Sequence, residues 1–171
     1  DNYLQSDCED IRYKFYVPWS KVFNRKFLLQ NEIYFDHVLA SNDVMFSIKI
    51  GYFGENFDVS KKKIYCVVRR KDSLTNNLQE NFFDIRLNTR IKRFNFLKKN
   101  LNKDEFKKYL KPYLALKNLE FLYQSYKNFG IRKLKKVHSL YKKNNIIYFS
   151  FNFFKIYKII KYIIIKMLLN I

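Results

Sequence analysis

Asp43 is the residue whose type and position best suit it to chemistry. It lies with Ser41 and Asn42 directly before the apolar run at residues 44–50, and this order is typical of a helix start. A carboxylate there can accept a proton from a substrate hydroxyl as a general base, although the helix N-terminus that keeps it ionised also lowers its basicity. An aspartate in this position also serves as a plain N-cap. The spacing alone leaves both roles open.

Two further groups could bind a sugar or a phosphate. Trp19, the single tryptophan of the chain, could stack on the apolar face of a sugar or pack in the core. Arg69 and Arg70 end a predicted strand beside a turn that contains Ser73, where a guanidinium fork could hold a diphosphate or remain solvated. The two cysteines and two histidines form no ligand pattern. We therefore predict no metal site and no disulfide within these residues.

Two regions of different pattern carry these residues. The chain has 171 residues and a net charge of +19, yet residues 1–60 hold 6 basic and 9 acidic side chains while residues 61–171 hold 28 and 6. Up to residue 76, short aromatic and β-branched runs flank the helix that begins near Asp43, and such runs predict strands. They occur at residues 13–19, 57–59 and 64–68. We therefore predict an α/β fold for this part, with a short helix near residues 20–30.

Beyond residue 76 the apolar residues recur with the period of a helix, with basic residues between them. Pro112 should kink or restart a helix, and Gly130 should end one. The predicted organisation is an α/β unit over residues 1–76, followed by a helical, basic region over residues 77–171.

The end of the chain, residues 146–171, has the pattern of a basic amphipathic helix. Four lysines fall within one arc of a helical wheel, opposite an isoleucine-rich face. They are Lys155, Lys158, Lys161 and Lys166. This pattern predicts a helix that lies on an anionic membrane surface, with an ordinary packing helix as the alternative. The same lysines interrupt the apolar run, so we expect no membrane span. The start at Asp1, without a signal-peptide pattern, predicts a cytoplasmic piece of a longer chain.

Taken in order, three segments resemble the C-terminal half of a family 2 glycosyltransferase of the GT-A type. The sequence WSK at residues 19–21 stands where that family has Trp-x-Lys, and NDVMF at residues 42–46 stands where it has Glu-Asp-x-x-Phe. The run IYCVVRRKDSLT at residues 64–75 is similar to the family's strand that ends in an arginine and a Ser-Leu-Thr turn. The aspartate of the second motif matches, and Asn42 replaces its glutamate.

The resemblance implies an inverting transferase of surface polysaccharide or lipooligosaccharide synthesis. Such an enzyme moves a sugar from a nucleotide-diphosphate sugar to a glycan or a lipid-linked glycan. It implies that residues 1–76 form the acceptor-side half of a GT-A-like domain. A catalytic Mg²⁺ or Mn²⁺ would be held mostly by residues outside this chain, which has no Asp-x-Asp. Asp43 would be the general base. The implied substrate-binding residues are Trp19, Lys21, Asn42, Arg69, Arg70 and Ser73.

A second class of function remains open from the sequence. A strongly basic chain also suits a non-catalytic protein that binds an anionic membrane or a nucleic acid. Nucleic acid is the less favoured ligand, because the aromatic residues share apolar helical faces with leucine and isoleucine and no known nucleic-acid motif occurs.

Overall fold

The computed structural model describes residues 10–68 and 79–146, and these are helical, with no strand among them. The predicted α/β class and the GT-A-like half-domain are therefore wrong. The helices are α1 (Arg25–Gln30), α2 (Asn42–Phe53), α3 (Glu80–Asn100), α4 (Lys103–Glu105) and α5 (Lys111–Lys143), with π-helical turns at Asp10–Lys14 and Phe106–Leu110. The predicted division between residues 76 and 77 stays a prediction.

The runs predicted as strands lack the partner that a strand requires. Residues 15–18 and 54–68 have no regular secondary structure, and residues 13 and 14 belong to the first π-helical turn. Aromatic and β-branched residues favour an extended backbone, but a strand also needs a neighbour for its N–H and C=O groups. Within residues 10–68 and 79–146 no such pair forms. The apolar side chains of residues 64–68 therefore stay exposed.

Helix α2 confirms the predicted helix start at the Ser-Asn-Asp sequence. Its N-cap Ser41 has a left-handed backbone with φ 57°, and its side chain makes no capping hydrogen bond. Gly54, not Gly51, ends the helix, and its N–H donates to the Ile50 carbonyl at 2.8 Å. Gly51 lies inside α2, where a Cβ atom would stand 2.2 Å from the Arg12 carbonyl oxygen. The missing side chain is what lets the first π-helical turn pack against α2.

Helix α5 packs against α3 in two parts, the first antiparallel to α3 and the second parallel to it. Pro112 lies in the first turn of α5, as predicted for a restarted helix. Arg90 of α3 donates to the Lys117 carbonyl, while Phe83 stacks on Phe121 with ring centroids 4.3 Å apart. The first part of α5 therefore runs antiparallel to α3.

Gly130 reverses the direction of α5. Its φ of 74° and ψ of −172° are not helical, and a backbone of this kind is open almost only to glycine. The prediction that a helix ends there is confirmed. Beyond it, Lys133 pairs with Glu80 and Asn144 contacts Asn95, so the second part of α5 runs parallel to α3.

One apolar core joins these helices. Its buried members come from α2, from α3, from both parts of α5 and from the first π-helical turn. Those least exposed include Ile48, Leu87, Phe94, Leu97, Leu110, Val137 and Tyr141.

Candidate functional site

Asp43 lies in the first turn of α2 and is partly buried. Burial raises the pKa of its carboxyl, while a hydrogen bond from its own backbone N–H acts in the opposite direction. A carboxylate with a raised pKa is a better proton acceptor than an ordinary aspartate. The environment therefore offsets the loss of basicity that the helix N-terminus would otherwise cause.

Asn42 lies beside Asp43 at the edge of an open hollow of about 550 Å³. Asp36 stands at the same hollow, where its carboxylate accepts two hydrogen bonds from Lys92 Nζ, at 3.0 and 2.9 Å. The hollow combines amide, carboxylate and apolar side chains. Its other lining residues are His37, Val38, Leu39 and Ile85.

Trp19 and Lys21 meet at Phe15. The Trp19 ring packs edge-on against Phe15 at 5.8 Å and stacks on Tyr65 at 5.9 Å between centroids. Lys21 Nζ donates to the Phe15 carbonyl at 2.5 Å and lies 4.6 Å from the centre of the Phe15 ring. Burial lowers the pKa of Lys21 to about 8. The WSK segment is thus an aromatic cluster with a lysine in contact.

The structure does not join this cluster to Asp43. Among the described residues, no hydrogen bond, ion pair or ring contact links Asp43 to Trp19 or Lys21. Arg69, Arg70 and Ser73 lie outside the described residues, as does the predicted amphipathic tail after Ile146. The predicted site is therefore seen as two separate pieces.

Sequence reasoning missed a group of basic and tyrosine side chains that α3, the start of α5 and residues 14–16 bring together. We call it the arginine cluster, and it comprises Lys14, Tyr16, Arg90, Arg93, Tyr113 and Lys117. Its centre is the guanidinium of Arg93, which is only 5% exposed. Arg93 Nη2 donates to the Tyr13 carbonyl at 2.9 Å, and the guanidinium carbon lies 4.6 Å from the centre of the Tyr16 ring.

Burial lowers the pKa of Arg93, and the neighbouring charge of Arg90 acts in the same direction. The Tyr113 and Tyr16 hydroxyls act against that shift. Arginine nevertheless stays protonated in proteins, so Arg93 keeps its positive charge inside the fold. The available sequence signal was an arginine pair three residues apart within the apolar pattern of α3.

A second basic surface lies on the last part of α5. Five exposed cations share one side of the helix within about three turns. They are Arg132, Lys135, Lys136, Lys142 and Lys143, and we call them the basic face. In the part of the chain that the structure describes, only Lys136 among these five forms an ion pair, with Asp84 at 3.2 Å.

Neither a metal-ligand group nor a membrane span is present in residues 10–68 and 79–146. No three histidine, cysteine, aspartate or glutamate side chains come together there as a metal site would require. No helix in these ranges combines the length and the apolar character needed to cross a bilayer.

No protein-family model, curated protein or solved structure matches this chain. The resemblance to family 2 glycosyltransferases therefore stays a prediction from the sequence motifs.

Proposed function

We propose that this protein takes part in the transfer of a sugar from a nucleotide-diphosphate sugar to a hydroxyl of a glycan or lipid-linked glycan, with Asp43 as the general base. The proposal rests on the order of the WSK, NDVMF and IYCVVRRKDSLT segments and does not include the GT-A-like fold. The structural observation in its favour is the environment of Asp43. Its carboxylate is partly buried at the start of α2, and the adjacent residue Asn42 lines an open hollow that could admit a polar acceptor.

In the proposed reaction, an Asp43 oxygen takes the proton of the acceptor hydroxyl. The hydroxyl oxygen then forms a bond to the anomeric carbon, and the bond from that carbon to the diphosphate oxygen breaks. The nucleoside diphosphate leaves with the electron pair, and Asp43 later releases the proton to water. The Asn42 amide would help to orient the acceptor in the hollow.

The divalent cation that the resemblance implies would stabilise the charge of the leaving diphosphate. The residues described here do not fit such a cation, because no group of three potential ligands comes together among them. No step of the proposed reaction therefore passes through a metal. Trp19, Lys21, Arg69, Arg70 and Ser73 remain the proposed donor and sugar contacts.

The test of Asp43 is a transfer assay with nucleotide-sugar donors and the Asp43→Asn variant. Loss of a general base should lower kcat by about 10²- to 10⁴-fold, with donor binding close to that of the wild type. The matched control is Asp58→Asn, which removes an exposed carboxylate from residues 54–68. Near-normal turnover of Asp43→Asn would show that Asp43 is not the base.

The pH dependence adds a second check on the same residue. The base must be ionised, so kcat should rise as pH increases through the raised pKa of Asp43 and level off above it. Because burial favours the protonated form, ionisation of Asp43 weakens the folded state as pH rises through that pKa. We therefore expect Asp43→Asn to be at least as stable as the wild type at pH 7, which separates lost chemistry from lost folding.

The basic face supports a second candidate function, which is attachment to an anionic membrane surface. Cations near such a surface each contribute about 1 kcal/mol, and within the described range four of the five have no carboxylate partner. This face also directly precedes the predicted amphipathic tail. Attachment would place the protein on the inner face of the plasma membrane, where a lipid-linked acceptor would be within reach.

Sedimentation with vesicles tests this second function. The Lys135→Gln/Lys142→Gln variant should bind phosphatidylserine vesicles about thirtyfold more weakly than the wild type. The control Lys103→Gln/Lys107→Gln removes two exposed cations from another part of the surface and should change binding much less. Equal loss in both variants, or binding to oligonucleotides alone, would contradict a membrane role for the basic face.

A further inference from the structure

We infer that the arginine cluster is a binding site for a phosphate-type oxyanion, formed by Arg90, Arg93 and Lys117 together with Lys14. This inference goes beyond glycosyl transfer and does not depend on Asp43. It rests on the charge of the cluster, the hydrogen bonds of its guanidinium groups and its access to solvent.

The guanidinium charges of Arg90 and Arg93 lack a carboxylate partner in the described residues. Lys117 Nζ, at the edge of the cluster, donates a hydrogen bond to the Glu120 carboxylate at 2.9 Å. Placing a charge in a low-dielectric interior is costly unless an opposite charge lies close to it. An anion bound here would supply that charge.

The guanidinium groups of Arg90 and Arg93 each have an N–H donor without an acceptor in the described residues. Ring contacts account for much of the packing, since Arg93 lies over Tyr16 and Arg90 lies 4.6 Å from the centre of Phe121. Aromatic faces stabilise a cation, but they do not replace acceptors in the guanidinium plane. The Nε atoms of Arg90 and Arg93 are both buried and have no acceptor within the described part of the chain. Phosphate oxygens match such donors in charge and in geometry.

Solvent reaches the edge of the arginine cluster. Although Arg93 is buried, its neighbours Lys14, Tyr16, Tyr113 and Lys117 are only partly covered. Lys14 Nζ and the Arg93 guanidinium carbon each lie 5.8 Å from the centre of the Tyr113 ring. Tyr113 therefore contacts both the partly exposed Lys14 and the buried Arg93. A small oxyanion would reach the cluster at this ring, with the Tyr113 hydroxyl as a further donor.

The occupant that fits best is a phosphate or diphosphate group. A phosphate group carries about two negative charges, which would balance the guanidiniums of Arg90 and Arg93, and its several oxygens can accept from more than one guanidinium. A carboxylate would bring one charge and two oxygens, which is fewer than the donors available. The phosphate could be free in solution or part of a lipid headgroup, and the experiment below separates these sources.

Isothermal titration of the full chain with inorganic pyrophosphate, against sodium chloride at matched ionic strength, is the direct test. We expect saturable binding at one site, with inorganic phosphate weaker and chloride giving no saturable heat. Arg93→Lys keeps the charge but loses the planar fork, so it should weaken binding at least about tenfold. The matched control is Lys99→Gln, an exposed cation on the same helix, and it should change affinity by less than twofold.

Two rim variants keep the test decisive if Arg93→Lys disturbs folding. Lys117→Gln should weaken pyrophosphate binding about tenfold. Glu120→Gln frees the Lys117 ammonium from its ion pair and should strengthen binding. Loss of binding in both rim variants, or an equal loss in Lys99→Gln, would overturn the site.

Two further arms identify the source of the phosphate and separate this inference from the proposed function. Vesicles that contain phosphatidic acid should compete with pyrophosphate only if a headgroup can reach the cluster, whereas free pyrophosphate should bind in either case. Asp43→Asn should bind pyrophosphate like the wild type. Saturable binding that is unaffected by Arg93→Lys, Lys117→Gln and Glu120→Gln would place the anion elsewhere and contradict the inference.

Discussion

The first region (residues 10–68) and the bundle (residues 79–146) use apolar residues in opposite ways. Fourteen large hydrophobic side chains of the first region are exposed, against three in the bundle. The first region also has long segments without regular structure, whereas α3 and α5 account for most of the bundle. The comparison shows that apolar content alone does not build a core. Apolar residues must recur with a period that places them on one face.

The largest expected effect is the difference in lost stability between truncating a buried leucine of the bundle and truncating an exposed leucine of the first region. Leu97 of the bundle is fully buried, while Leu39 of the first region is 66% exposed. Leu97→Ala should lower the free energy of unfolding by about 2–5 kcal/mol, because it removes buried methyl groups and leaves a cavity. Leu39→Ala should change it by less than about 0.5 kcal/mol. Urea denaturation measures both, and similar losses would mean that the first region is as well packed as the bundle.

A smaller effect tests a tight backbone contact within the first region, between Gly51 and Arg12. Gly51→Ala would place a Cβ atom 2.2 Å from the Arg12 carbonyl oxygen, so the π-helical turn must move away from α2. That movement would disturb the hydrogen bonds from the Arg12 guanidinium to the carbonyls of Gly51 and Gly54. We expect a loss of about 1–3 kcal/mol, with faster amide hydrogen exchange in α2 and unchanged exchange in α3.

The control for this prediction is Ser47→Ala in the same helix. Ser47 is buried, and its hydroxyl has no partner among the described residues, so the substitution should cost little. If Gly51→Ala also accelerates exchange in α3, the two regions are mechanically coupled and the contrast between them is weaker than the structure indicates.

The smallest effect is a pH dependence that belongs to the bundle. Burial alone would raise the pKa of Asp84, but hydrogen bonds from Lys133 and Lys136 hold it below its ordinary value of 3.8. A lowered folded-state pKa adds stability above pH 3.8 that is lost as pH falls through the folded-state value. Asp84→Asn should therefore cost up to about 1 kcal/mol at pH 7, after solvent screening of a partly exposed group.

That cost should shrink as the solution is acidified below pH 3.8. Urea denaturation at pH 7 and in strong acid gives the two values to compare. Asp58→Asn, in the exposed part of the first region, should change the free energy of unfolding little at either pH. A constant difference for Asp84→Asn would mean that its ion pairs do not contribute to stability.

Local signals in the sequence predicted the helices well. The polar residues before position 44 mark the start of α2, Pro112 lies in the first turn of α5, and Gly130 separates its two parts. Each of these effects depends on residues close in sequence, through the polar residues that precede a helix, a fixed φ or a positive φ. The predicted sheet was wrong, because strand formation depends on a partner segment that propensity cannot reveal.

The candidate sites likewise have features that follow from neighbours in sequence and features that depend on distant residues. The place of Asp43 at a helix start followed from its neighbours in sequence, but the shared contact of Trp19 and Lys21 with Phe15 did not. The arginine cluster was unpredictable, because Arg93 binds the Tyr13 carbonyl 80 positions away. Its detection requires knowing that the first region folds back onto α3.

Two different spectroscopic signals can follow the two regions, because Trp19 lies in the first region and the long helices lie in the bundle. Because the chain has one tryptophan, and that residue stacks on Tyr65 within the first region, tryptophan emission follows the first region alone. Far-ultraviolet circular dichroism instead follows mainly the long helices of the bundle. Recorded together during denaturation, the two signals show whether the regions unfold in one cooperative step or separately.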